Sequence, residues 1–233
     1  SYFFSQAVDR VILTQELENF SSKTGRPPFS TSIYIFPSTR VPLSLEDAER
    51  ASQDIANTLS GEVGLPLRLL VTQISSGGMM LQTASETRDY LSDTELIFID
   101  GVSKYMDIIE GEPLDEKGES GNALDVWMHD RLAQKMGVHV GETMYISKTL
   151  SDAPLLIRIA GFWKAKDPQD EFWFNDPDQS LAESLLIRRD DYIRHIQPLI
   201  PSKTRGAYWY IVLDDKKVKT KDSASYVEGF KRG

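Results

Sequence analysis

The chain has 233 residues, with 26 Lys and Arg against 35 Asp and Glu, for a formal net charge of −9. Hydrophobic residues at 40% and aromatics at 10% exclude wholesale disorder, and 15 Gly with 11 Pro exclude a fibrous or low-complexity architecture. The acidic balance argues against a nucleic-acid binder, and the longest apolar run, Ala207 to Leu213, falls far short of the roughly 20 residues that span a bilayer.

Tyr2 to Phe20 carries Phe4, Ala7, Val8, Val11, Ile12 and Leu17 at helical spacing and predicts an amphipathic helix. Ser21 to Ser32, rich in Ser, Pro and Gly, ends it. Ile33 to Phe36 is β-branched and aromatic, hence a strand stopped by Pro37. Ser44, with Asp47 three positions on, predicts a helix start in capping-box style. Leu45, Ala48, Ile55 and Leu59 line one face of that helix, and Gly61 and Gly64 end it. Leu67 to Ile74 is a second strand, which completes a βαβ-type unit, and Gly77-Gly78 reads as a turn.

The middle of the chain reads mainly as β, with strands at Glu95–Ile99, Ala123–Met128, Thr143–Ile146 and Leu155–Trp163. A short helix, Asp130 to Met136, stops at Gly137. Near the end the first grammar returns. Leu185 to Ile187 is a strand, Asp190 or Asp191 opens a helix carrying Ile193 and Ile196, and Pro198 and Pro201 close it. Ala207 to Leu213 has no polar face and predicts a strand inside its sheet. A last helix from Ser223 carries Val227 and Phe230. The two similar units suggest an internal duplication. The fold class is α+β with two lobes. Residues 1–30 form a helix and linker, 31–85 and 180–233 a lobe of two βαβ-type units, and 86–179 an inserted β-rich lobe. The chain opens on Ser1 and stops at Gly233 inside a helical pattern, as a piece cut from a longer protein would.

Catalytic signatures are missing. No Gly-rich phosphate loop is present. Gly118-Glu-Ser-Gly121 lacks the spacing and the preceding strand of a nucleophile elbow. His129, His139 and His195 offer no pair at zinc-binding spacing and read as surface or capping residues. Without cysteine there is no thiolate site and no disulfide. No catalytic residue, metal or cofactor is assigned. Residues 86–125 hold twelve acids and three bases, equal to the whole chain's net charge, and read as a solvated acidic surface. Lys216, Lys217, Lys219 and Lys221 crowd the turn after the last strand. Asp167, Asp170, Glu171, Asp176 and Asp178 lack the register of a Ca²⁺ loop and read as a solvated turn. They flank Phe172, Trp173 and Phe174. These rings either fold back onto the sheet or stand out as a contact patch, and they are the candidate partner contact. Trp163 and Trp209 sit in strand patterns and read as core.

Several segments carry a family resemblance. Tyr105 to Leu114 resembles the aromatic-x-x-hydrophobic-x-x-Gly segment of the MacB-like periplasmic core domain of ABC transporter permeases (MacB/FtsX/LolC type, the FtsX-like permease family). Val126 to Gly137 is similar to that family's strand followed by a Leu-Ala-x-x-x-Gly helix. Val140 to Ile146 resembles its Gly-acid-Thr-hydrophobic strand, and Leu156 to Phe162 its Val-Val-Gly-Val strand. The segments stand in family order and spacing, best from Glu95 to Ile196.

The resemblance implies a non-catalytic extracytoplasmic domain between two membrane helices of a permease, with 1–30 as an N-terminal stalk helix and linker, 31–85 and 180–233 as a porter-like lobe and 86–179 as the inserted lobe. It would be anchored at the outer face of the plasma membrane, in the periplasm or at the cell exterior, and would relay ATP-driven motion to a substrate or partner. Implied partners are its own transmembrane helices, a cytoplasmic ABC ATPase, a second copy or a paralogous permease, and an extracytoplasmic substrate or adaptor, with no nucleic acid. The alternatives are a secreted hydrolase using paired carboxylates, which requires a deep pocket with two facing acids, and a binding module using the Phe172 loop.

Overall fold

The computed structural model describes residues 29–115 and 121–214. The predicted first and last helices, the lysine cluster and most of the Gly118–Gly121 segment lie outside the described residues. In chain order the elements are β1 (Ser30–Ile35), α1 (Leu45–Val63), β2 (Leu67–Thr83), β3 (Tyr90–Ile99), β4 (Met106–Gly111), β5 (Leu124–His129) and α2 (Asp130–Met136). They continue with β6 (Thr143–Ser147), β7 (Leu155–Ala165), α3 (Pro177–Ser180), β8 (Ser184–Leu186), α4 (Arg189–Asp191) and β9 (Gly206–Leu213). A π turn, Tyr192–Ile196, and a 3₁₀ turn, Gln197–Leu199, prolong α4. The architecture is α+β, with nine strands in one mixed sheet and few helices.

The sheet runs β1-β9-β2-β3-β8-β5-β7-β4, while β6 bridges β2 and β7. Pairing therefore closes on itself: β2-β3-β8-β5-β7-β6 and back to β2 form a six-stranded ring. A barrel this small is filled by its own side chains. Leu81, Leu96, Val126, Met128, Ile146, Ile157, Ile159 and Leu185 are all at most 1% exposed and share one apolar cluster. Outside the ring, β9 and β1 extend the sheet as a wing beside β2. Strands β1 and β2 each pair antiparallel with β9, so they run parallel to each other and α1 crosses over between them. Strand β8 likewise runs parallel to β9, with β2 and β3 between.

Helix α1 starts as its sequence predicts. The Ser44 side chain accepts from the Asp47 N–H at 3.0 Å, and Gly64 ends the helix in the left-handed region. Gly61 lies inside it. Leu45, Ala48 and Ile55 pack on Ile33, Ile74, Trp209 and Ile211, and the Trp209 indole N–H donates to the Ala48 carbonyl. Strand β9, apolar on both faces, lies between β1 and β2 as expected.

Gly77-Gly78 is not a turn. It is a bulge within the 17-residue β2, where the register with β3 slips between Ser75 and Gly78. Gly77 sits at φ 71°, and an added Cβ would lie 2.7 Å from the Arg205 side chain, so only glycine fits. Serines occupy the backbone groups that the slip leaves over. The Leu96 N–H donates to Ser76 Oγ, and the Gly77 N–H to Ser75 Oγ. Strand β4 was not foreseen as a strand, and neither was the short helix α3.

At the edge of the barrel, Gly111 packs on β7. It has φ +96°, and a Cβ there would stand 2.2 Å from the Ala160 carbonyl oxygen. Gly141 shares the left-handed backbone (φ +90°) but faces open space. Gly111→Ala is therefore expected to cost more than about 2 kcal/mol in urea unfolding, and Gly141→Ala only about 1. Equal losses would contradict the close approach of β4 to β7.

Candidate functional site

Two adjacent rows of side chains cross the outer face of the wing. Ser32 of β1 stands beside Tyr210 of β9 and Val71 of β2. Tyr34 stands beside Tyr208, Gln73 and Ile99. The loop between β7 and β8 folds over this face. Phe172 and Trp173 are 4% and 9% exposed, so the folded-back alternative holds for both. Phe172 stacks on Tyr105 at 3.9 Å, and Trp173 lies over Trp163 at 6.2 Å between centroids. Phe174 is half-buried, with its ring 5.3 Å from Tyr208 and 5.1 Å from Tyr210. Trp163 and Trp209 are fully buried.

The loop's carboxylates fix its shape. Asp170 accepts from the Phe172 N–H, Asp167 from the Gln169 N–H, and Asp176 caps α3 through the Asp178 N–H. Asp178 meets buried His129 Nε2 at 3.0 Å, and Glu171 pairs with Arg68. His129 also caps α2 by accepting from the Arg131 N–H, and its ring meets Trp163 edge-on. His139 pairs with Glu142 on the surface, and His195 is exposed. The five acids are thus engaged in turns and ion pairs. Among the described residues no group of three or more His, Cys, Asp or Glu could hold a metal ion.

Between loop and wing lies an open cleft of about 400 Å³. Six aromatic rings line it: Tyr34, Phe172, Trp173, Phe174, Tyr208 and Tyr210. Ser32, Gln73, Asn175 and Ser180 add neutral polar groups, and Val71, Ile99 and Leu181 complete the lining, which holds no charged side chain. Burial raises the Tyr34 hydroxyl above its ordinary pKa, reinforced by the Glu95 charge, so it stays a neutral donor. The volume and the few polar groups suit a small ligand or inserted side chains.

A second hollow of about 460 Å³ is lined by Asp100, Asp115, Asp190 and Asp191 together with Arg188 and Arg189. Behind it lies a buried ionic network. Asp125, 1% exposed, accepts from Arg158 Nε at 2.7 Å and from Arg188 at 2.6 Å. Arg158 also grips Glu112 in a bidentate pair, and Arg188 lies 4.9 Å over the Trp127 ring. The Trp127 indole N–H donates to the Glu112 carbonyl. Hydrogen bonds donated to Glu112 and then to Asp125 hold the Arg158 guanidinium firmly protonated, and Arg158 holds the Glu112 carboxyl below its usual range.

Sequence reasoning singled out Phe172 to Phe174 but missed the floor beneath them. The available signal was the two-residue spacing of Ser32 with Tyr34 and of Tyr208 with Tyr210. Nothing local to Asp125, Arg158 or Arg188 marks them as partners, since 33 and 63 positions separate the acid from its two bases.

Asp125→Asn takes away the buried carboxylate that Arg158 and Arg188 share, leaving Arg158 with Glu112 alone, and is expected to cost about 3 kcal/mol in denaturant unfolding. A loss under about 1 kcal/mol would remove the network from the core. Glu112 has its folded pKa below the unfolded value. Its contribution is therefore complete above the ordinary carboxyl pKa of 4.5 and is lost as pH falls through the lower folded value. Glu112→Gln is expected to flatten the decline of Tm between neutral pH and pH 3. An unchanged profile would contradict it.

No family model matches the chain, and no curated protein does. One solved structure similar to it is a domain assigned to a permease protein from Porphyromonas gingivalis. The two share 15% sequence identity, the overlap covers 76% of this chain and 75% of that one, and the TM-score is 0.42.

Proposed function

We propose that this chain is the extracytoplasmic domain of an ABC transporter permease subunit, passing ATP-driven motion of membrane helices to an extracytoplasmic substrate or partner. One observation carries the reading. The four segments that resemble the MacB-like core domain are consecutive in space as well as in sequence. They form β4, β5 with α2, β6, and β7, and β7 pairs with each of the other three strands. The glycines of the first and last segments interlock. A Cβ on Gly111 would strike Ala160 and Gly161, and one on Gly161 would press on Glu110 and Trp127. Matching positions that meet in three dimensions are what a shared fold requires of a motif set.

In this reading 31–85 and 180–233 make up the porter-like lobe and 86–179 the inserted one, so the ring draws β2 and β8 from the first and its other four strands from the second. Relay needs two states with different contacts, and β2, which pairs with β9 in the wing and with β6 in the barrel, runs unbroken from one to the other. Among the described residues no helix is long and apolar enough to cross a membrane; the reading itself calls for anchoring helices in sequence that flanks the chain. The parent reading frame is expected to encode an apolar segment of about 20 residues before Ser1 and another after Gly233. Polar, domain-like sequence on both sides would overturn the proposal.

A further inference from the structure

His129 is 1% exposed and stands where the end of β5, the first turn of α2 and the loop between β7 and β8 come together. Charged groups face its ring from two of these elements. Asp130 and Arg131 come from α2, and Asp178 comes from α3 within the loop. From β7 the ring meets the uncharged Trp163 edge-on, at 4.8 Å between centroids.

The two ring nitrogens are placed differently. Nε2 lies 3.0 Å from Asp178 Oδ1 and donates to that carboxylate whether the ring is neutral or charged. Nδ1 has two neighbours with opposite requirements. The Arg131 N–H donates to it at 3.2 Å, which needs a bare lone pair. Asp130 Oδ1 lies 3.0 Å from the same nitrogen, which needs a hydrogen between the two atoms. A neutral ring, with its hydrogen on Nε2, caps α2 and leaves Asp130 against a lone pair. A doubly protonated ring donates to both carboxylates and leaves the Arg131 N–H without its acceptor. Each protonation state satisfies one neighbour of Nδ1 and fails the other.

The exchange bears on the loop. Asp178 is held by the cap from two directions, through its carboxylate by His129 and through its carbonyl by Arg131 Nη1. A neutral imidazole gives Asp178 an ordinary hydrogen bond, whereas an imidazolium gives it a charge-assisted one, roughly twice as strong. Carboxylates on both nitrogens answer the burial of that charge.

We propose that His129 is a proton-operated latch. On acidification Nδ1 takes a proton from solvent, turns from the Arg131 N–H to Asp130, and binds the Phe172 loop more tightly to the barrel through Asp178. The latch rests on the cap and loop contacts alone and holds whether or not the chain serves a permease.

Backbone hydrogen exchange of the 233-residue chain, resolved by NMR and corrected for the intrinsic rate at each pH, reads both sides of the latch. The Ser180 and Leu181 amides close α3 on the Asp176 and Pro177 carbonyls. From pH 8 to pH 5, the interval in which imidazoles change charge, these two are expected to gain about fivefold in protection, while the Arg131 amide loses about fivefold. Opposite signs distinguish a latch from general loosening by acid, which lowers both. The ¹⁵N signals of the His129 ring are expected to show Nδ1 passing from bare to protonated while Nε2 keeps its hydrogen throughout. His129→Gln retains a donor and an acceptor but has no proton to gain, so both exchange changes are expected to vanish. Asp130→Ala removes the acceptor that the charged ring uses and is expected to shrink both. The exchange and ring signals of the unaltered chain decide the question should His129→Gln unfold. Changes of one sign at the two places, or none at either, would overturn the proposal. So would a full response in a folded His129→Gln or Asp130→Ala, or a hydrogen that resides on Nδ1 at pH 8.

Discussion

Strand β2 has to serve two sheets, and much of the structure follows from how it does so. Its first half lies between β9 and β3 in the wing, and its second half between β6 and β3 in the barrel. A regular strand keeps one side-chain parity along its length. Here Val71 belongs to the outer cluster, whereas Met79 and Leu81, of the same parity, lie in the inner one. The slip at Gly77 makes that exchange possible. It inverts the strand's faces and lets the open wing run into a closed ring without a break in the chain. The Ser75 and Ser76 hydroxyls take up the Gly77 and Leu96 amides beside the slip.

Strand β7 repeats the device on the far side of the barrel. Ile157 and Ile159 point inward, Ala160 and Trp163 outward, and the slip against β5 falls beside Gly161. The outward residues build the platform on which the Phe172 loop rests. The barrel's irregularity thus places the aromatic loop, and the loop in turn walls the cleft above Tyr208 and Tyr210.

Local elements were readable in advance because local chemistry determines them. Ser44 and Gly64 bracket α1, Gly137 stops α2, and the apolar run of 207–213 marks an interior strand. The closed ring was not readable, since register and strand order depend on partners far along the chain. Gly77-Gly78 carries the same composition in a bulge as in a turn, and only pairing with β3 tells them apart. In Met106–Gly111 the acids Asp107 and Glu110 masked the strand, although they suit an outer edge. The candidate contact was found as an aromatic cluster, while its floor depended on β1, β9 and β2 coming side by side. Two of its three rings proved to be packed inward.

The shortest stave of the ring has its own consequence. Strand β8 meets β3 over three residue pairs and β5 over only two, far fewer than β2 shares with β3. Backbone protons at this seam should trade with solvent sooner than those elsewhere in the barrel. Because Arg188 stands two residues past the end of β8 and reaches Asp125 on β5, the ionic network ties together the two strands of the shortest join. A pull transmitted through the helical stretch that begins at Arg189 would be felt first at that tie, before any other part of the barrel parts.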